Sequence, residues 1–201
     1  MPDHICPPWL SFLLINPFRR WAQNPEKILE HYLKKGDVAL DAGCGPGYFT
    51  IAMADLVGEE GLVIAADIDA EMLERVRKRA EKAGVISRIR LHVGQKDRLG
   101  VKEMVDFALA FWMVHEVRDQ DRFFSEIRSL MNPEATFLLV EPRLHVPEKM
   151  FREIVETAGR AGLQPWSEEK ISLSRAVLLK AIKDRRGPDL KPFWLPVRNN
   201  K

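Results

Sequence analysis

Cysteine is scarce in this 201-residue chain, with only Cys6 and Cys44 present. Two thiols build no disulfide framework, which excludes the small stapled secreted folds and fits a reduced, cytoplasmic setting. An excess of charge of either sign is also missing. Thirty-one basic and twenty-nine acidic residues leave a formal charge of +2, so composition alone argues for neither nucleic acid nor acidic lipid as a partner. Long hydrophobic runs are lacking as well. The one stretch resembling a targeting signal has an apolar run from Trp9 to Ile15 that falls well short of the ~20 residues a bilayer demands. Arg19 and Arg20 follow that run instead of preceding it, and no small-residue cleavage site is seen, so it does not read as a leader peptide or as a stable membrane insertion. Neither internal repeats nor low-complexity segments occur. What remains, 46% hydrophobic and 30% charged, suffices for one full core.

Along the chain, apolar runs suited to buried strands alternate with stretches of helical period. Asn24 as cap, Pro25 in the first turn, an apolar face of Ile28, Leu29, Tyr32 and Leu33, and a stop at Gly36 predict a first helix. Strand-like runs follow at 38–42, 61–68, 88–94, 105–114 and 135–142, with "LQPW" and "SRAVLLKAIK" as the last two. Between them lie helical segments through "YFTIAMADLVG", "DAEMLERVRKRAEKAG", a stretch capped by Asp119, and "EKMFREIVETAGRAG". This alternation predicts a single α/β domain around a doubly wound, mostly parallel seven-stranded sheet. Residues 25–184 form that domain. Residues 1–24 read as an apolar lead segment, a lid over the site or plain packing, with Trp9, Phe12, Phe18 and Trp21 as its aromatics. Residues 185–201 read as a proline-rich basic tail.

In such a sheet, ligands bind at the carboxyl ends of the strands where the order reverses. The first strand runs into "LDAGCGPGY", with Gly43, Gly45 and Gly47 at alternate positions. Glycines there admit a ligand close to the backbone and expose the N–H groups of the next helix. The dinucleotide spacing Gly-x-Gly-x-x-Gly is not met, because Tyr48 stands where the third glycine belongs, and this disfavours a nicotinamide cofactor. The lysine of a P-loop is missing too. Neither pyrophosphate nor triphosphate is the natural guest.

The run Asp41-x-Gly43-x-Gly45-x-Gly47 resembles the first motif of the class I S-adenosylmethionine-dependent methyltransferases. Asp67, twenty residues past Gly47, matches the acid with which that family holds the ribose hydroxyls. The resemblance spans roughly residues 25–183, while its specific motifs occupy 41–48 and 67–72. It implies the Rossmann-like methyltransferase fold and S-adenosyl-L-methionine as cofactor. It also implies that the loop wraps the methionine part, Asp41 helps hold the amino group, and Ile68 lies beside the adenine. The adenine-amino contact is looser: Gln95 is the candidate acceptor, with Asp97 the alternative.

The acceptor must be read from the ends of the fourth and fifth strands. The Asn/Asp-Pro-Pro-Tyr of base-amino methylation is absent from "AFWMVHEVRD", as is a cysteine for pyrimidine C5 chemistry. "WMVHEV" is similar to the small-molecule branch of quinone-biosynthesis and arsenite methyltransferases, although the cysteine set of the arsenite enzymes is wanting. His115 and Glu141 are the candidate catalytic residues, with His145 at the same mouth. Their bland alternatives are a helix-capping histidine and a structural Glu-Pro turn. His4 and Cys6 are soft ligands at short spacing but make no metal site by themselves. The expected function is methyl transfer to a small, partly apolar acceptor. RNA methylation through the basic stretch 75–90 and the basic tail, and a non-catalytic cofactor-binding module, are the alternatives. Oligomeric state is not legible.

Overall fold

The computed structural model describes residues 23–96 and 98–182. Seven strands form one sheet: β1 (Val38–Ala42), β2 (Leu62–Asp67), β3 (Ile89–Val93), β4 (Val105–Phe111), β5 (Met131–Pro142), β6 (Leu163–Glu169) and β7 (Ser174–Ala181). Their order is β3-β2-β1-β4-β5-β7-β6, and β7 alone runs antiparallel to its neighbours. The helices are α1 (Pro25–Leu29), α2 (Thr50–Val57), α3 (Ala70–Ala83), α4 (Gln120–Leu130) and α5 (Glu148–Arg160). The expected mostly parallel, doubly wound sheet is the observed one.

The central strands are apolar on both faces because both faces are covered. On one side Leu29, Met53, Val57, Leu73 and Val76 from α1–α3 close over Ala39, Val63 and Leu109. On the other, Phe124 and Ile127 of α4 and Ile154 of α5 pack on Leu40, Ala108 and Phe137. Chain order reverses between β1 and β4, which therefore part at their carboxyl ends. That is the crevice in which this architecture binds ligands.

Several elements depart from the expectation. The strand expected over 105–114 ends at Phe111, because Trp112 turns to φ +62° and the chain enters a 3₁₀ turn. The first helix stops at Leu29 instead of running to Gly36. Tyr32 N–H already bonds back to Leu29 O at 2.9 Å, three residues earlier, and the tightened chain turns so that Gly36 N–H reaches Val57 O at 2.8 Å. Leu33 is buried all the same. Strand β5 begins at Met131, before the expected Ala135, because Met131 pairs with Val105 ahead of an irregularity in the β4–β5 register. Asn24 and Asp119 cap their helices as predicted, accepting from Lys27 N–H at 3.0 Å and Arg122 N–H at 2.9 Å. The lead segment through Trp21, with His4 and Cys6, lies outside the described residues, as do Asp97 and the tail. Among the described residues no helix is long and apolar enough to cross a membrane, and no cluster of metal-ligating side chains is present.

Candidate active site

The three loop glycines all have positive φ: 70° at Gly43, 52° at Gly45 and 81° at Gly47. They differ in what surrounds them. A Cβ on Gly43 would stand 2.8 Å from Met113 Cγ, and one on Gly47 would stand 3.0 Å from Val76 Cγ2. These two glycines let the loop after β4 and helix α3 close onto the turn. At Gly45 a Cβ would meet nothing within 4 Å. Here the loop offers bare backbone to open space, as a cradle for a ligand must.

Asp67 ends β2 and braces that cradle. One carboxylate oxygen accepts Gly45 N–H at 2.8 Å and the other accepts Asp69 N–H at 2.9 Å. Each oxygen keeps further acceptor capacity, enough for a pair of hydroxyl donors. Burial raises the Asp67 pKa, against the pull of these backbone donors. Ile68 is 54% exposed and Val93, at the end of the adjacent β3, is 58% exposed, so an apolar edge flanks the acid. Gln95 is exposed, and its backbone bridges to Arg98.

Asp41 is buried and accepts the Thr50 hydroxyl at 2.6 Å. Burial pushes its carboxyl up to about 7, with the nearby Asp67 adding to the rise and Thr50 opposing it. Cys44 is no nucleophile: burial, then the Asp41 and Asp67 charges, hold its thiol well above the usual range.

The candidate acceptor side follows β4. Trp112 takes φ +62°, a strained value for a bulky residue. It is fixed by its N–H to Val140 O at 2.7 Å and its indole N–H to Ser174 Oγ at 3.0 Å. The chain then swings Met113 onto Gly43 and forms a short 3₁₀ turn over Val114–Glu116. Glu141, fully buried at the end of β5, accepts Val114 N–H at 2.8 Å and His115 N–H at 3.2 Å. Its second oxygen lies 2.5 Å from His115 Nδ1. Burial disfavours the imidazolium, but the Glu141 hydrogen bond and charge, aided by Glu116, raise the His115 pKa overall. His145 is exposed, its ring centroid 6.5 Å from that of His115.

The structure thus gathers Asp41, the three glycines and Asp67 at one strand end, with Ile68 beside them and His115 and Glu141 across the switch point. Several parts had escaped sequence reasoning. Met113 fills the space above Gly43, Thr50 partners Asp41, and Tyr48 donates its hydroxyl to Gln23 O at 2.9 Å. Gln23, itself buried, donates to Ser172 O at 2.8 Å, tying the start of the domain to the acceptor side. The positions of Thr50 and Met113, directly after the glycine loop and after β4, were the available signals.

A glycine turn with an acid at the switch point of this sheet agrees with the class of S-adenosylmethionine-dependent methyltransferases, and the structure of a protein of that description from Aquifex aeolicus shares the fold, with a TM-score of 0.78. That match has 22% identity and covers 88% of this chain and 99% of the other. The family model described as "Methyltransferase domain" matches residues 33–176, and the chain belongs to this family. Among curated relatives, the demethylmenaquinone methyltransferase of Lactobacillus johnsonii is 31% identical over 110 residues, 54% of this chain and 45% of that protein. A probable cobalt-precorrin-6B C(15)-methyltransferase (decarboxylating) from Saccharolobus solfataricus is 41% identical over 63 residues, 31% of this chain and 32% of that protein. The chain spans less than half the length of these relatives.

Proposed function

We propose that this protein transfers the methyl group of S-adenosylmethionine to a small, partly apolar acceptor, with His115 as general base. The cofactor supplies an electrophilic methyl on a sulfonium. Asp67 would take the ribose hydroxyls, Gly45 would face the methionine part, Asp41 would hold the amino group, and Ile68 would cover the adenine, with Gln95 at its edge.

One observation carries the catalytic reading: the buried Glu141 clamps both the backbone and the ring of His115, two residues after the Met113 that packs on Gly43 of the glycine loop. With Nδ1–H donated to Glu141, Nε2 is left as the proton acceptor. His115 Nε2 would take the acceptor's proton, leaving the acceptor's electron pair free for the electrophilic methyl that the bound cofactor would supply, with S-adenosylhomocysteine as the other product. Glu141 has no exposed surface and acts as a positioning residue.

A small acceptor is supported over a nucleic acid by the state of the basic stretch. Arg77 and Lys78 pair with Glu74, Arg79 donates to Pro46 O at 3.0 Å, and Arg90 pairs with Glu103. The names of the relatives point the same way, and the two cysteines suit a cytoplasmic location. The test is acceptor-dependent formation of S-adenosylhomocysteine over a panel of hydroquinones, phenols and thiols. At least one acceptor should turn over with the wild type, and His115→Gln should lose about 10²–10⁴ in rate while binding the cofactor normally. Undiminished turnover in His115→Gln would refute the assignment.

A further inference from the structure

On β7, Arg175 stands directly opposite Glu141 in the β5–β7 register. Residues paired across adjacent strands project from the same face of a sheet, so the guanidinium shares the face of Glu141. Its Nη1 is shut off from solvent and has no hydrogen-bond partner among the described residues. A buried, charged donor left unpaired is costly, and proteins ordinarily pair it. The obvious partner is one strand away, yet Glu141 spends its bonds on Val114 N–H, His115 N–H and His115 Nδ1, and Arg175 Nη1 makes none to it. Arg175 is therefore held beside the acceptor machinery with donor capacity unused.

The surroundings favour one kind of guest. Arg143, two residues after Glu141, donates to Ser174 O at 2.8 Å, which adds a second guanidinium at this end of the sheet. The exposed His145 belongs to the same rim. Two exposed leucines, Leu144 at 89% and Leu173 at 59%, flank these cations, and their loops are joined by Arg143 N–H to Leu173 O at 3.0 Å. Positive charge set in an apolar rim suits an amphipathic anion.

We propose that Arg175 recognises the acceptor, pairing with an oxyanion such as a carboxylate carried on an otherwise apolar, ring-sized molecule whose reacting atom lies against His115. The inference rests on the reading of His115 and Glu141 as the acceptor-handling pair. It adds a substrate class, anionic and amphipathic, and a specificity residue to it.

The experiment is calorimetric titration of the full chain, loaded with S-adenosylhomocysteine, using 1-naphthoate and its uncharged counterpart 1-naphthalenemethanol. Wild type, Arg175→Met, Arg175→Lys and His115→Gln are compared. Naphthoate should bind the wild type and lose at least tenfold in affinity in Arg175→Met, with Arg175→Lys between them. Naphthalenemethanol should bind Arg175→Met as it binds the wild type. Arg175→Met should melt no lower than the wild type, since an unpaired buried donor has been removed. Equal naphthoate affinity in wild type and Arg175→Met, failure of naphthoate to bind the wild type, or a clearly lower melting temperature of Arg175→Met would overturn the proposal. Loss of both probes only in His115→Gln would leave the catalytic pair standing while Arg175 fell. Binding of S-adenosylhomocysteine with neither probe bound by any variant would remove the acceptor site itself.

Discussion

Asp41 offers the most quantitative test of the cofactor site. Its carboxyl is buried and pushed up to about 7, whereas an unhindered carboxyl of this type titrates at 3.8. A cationic amino group is best held by the ionised form, so cofactor affinity should rise as pH climbs through about 7. The α-ammonium of an amino-acid ligand keeps its charge across this window and turns affinity down only further on the alkaline side. If only ionised Asp41 and charged amine associate, the Asp41 value alone predicts affinity about twentyfold weaker at pH 5.5 than near pH 7.4, roughly 1.8 kcal/mol. The assay is calorimetric titration with S-adenosylhomocysteine, which carries the same amino group. Run near pH 6 in buffers of differing ionisation enthalpy, it should also register release of about one proton. Asp41→Asn should abolish the acid limb and keep the alkaline one. Without ligand the sign reverses: a carboxyl raised on folding favours the folded state below about 4, and that contribution is lost as pH rises towards about 7. The apoprotein's stability should therefore sag over that window, and Asp41→Asn should flatten the sag. Affinity independent of pH between 5.5 and 7, or an acid limb that survives in Asp41→Asn, would refute the reasoning.

The glycines separate stability from binding. Gly47→Ala combines a φ of +81° with a contact 3.0 Å from Val76 Cγ2 and should cost about 1–3 kcal/mol in urea denaturation. Gly45→Ala meets no neighbour, so it should cost only about 1–2 kcal/mol for the left-handed backbone yet weaken S-adenosylhomocysteine at least tenfold, because its methyl enters the cradle. Glu141→Gln removes the charge that raises His115, so the acid limb of turnover, expected above the ordinary 6.5, should move to lower pH with reduced kcat, as a pH–rate profile would record. Phe124→Ala, in the fully buried layer between α4 and the sheet, should lose about 3–5 kcal/mol by thermal denaturation with no change in cofactor stoichiometry.

Much of this was legible because each signal was local. The strands announced themselves as apolar runs since a parallel sheet is buried on both faces, and the loop announced itself because φ values of 52–81° favour glycine. The first helix was misjudged in length for the opposite reason. Leu29 and Leu33 keep helical spacing and both are buried, but the tertiary link from Gly36 N–H to Val57 O bends the chain before a regular helix is complete. Periodicity reports which residues face inward and does not report what the backbone must reach next.

The illegible half of the site depends on residues far apart in sequence. Glu141 in a Glu-Pro pair looks like a turn residue until the parallel register of β4 and β5 sets its carboxylate under the amides of Val114 and His115. Gly43 looks like a glycine needed for its φ alone until Trp112, with φ +62°, throws Met113 against it. That contact packs the glycine loop against the turn that carries His115. A ligand that presses on the glycine loop presses on Met113, two residues before the proposed base. The strain at Trp112, about 1–3 kcal/mol for a bulky residue in this region, is held by two hydrogen bonds, to Val140 O and to Ser174 Oγ. Ser174 is the neighbour of Arg175 on β7, so the strand that carries the unpaired guanidinium also fixes the turn that delivers His115. On the proposed reading, recognition of the acceptor and placement of the base would share one support.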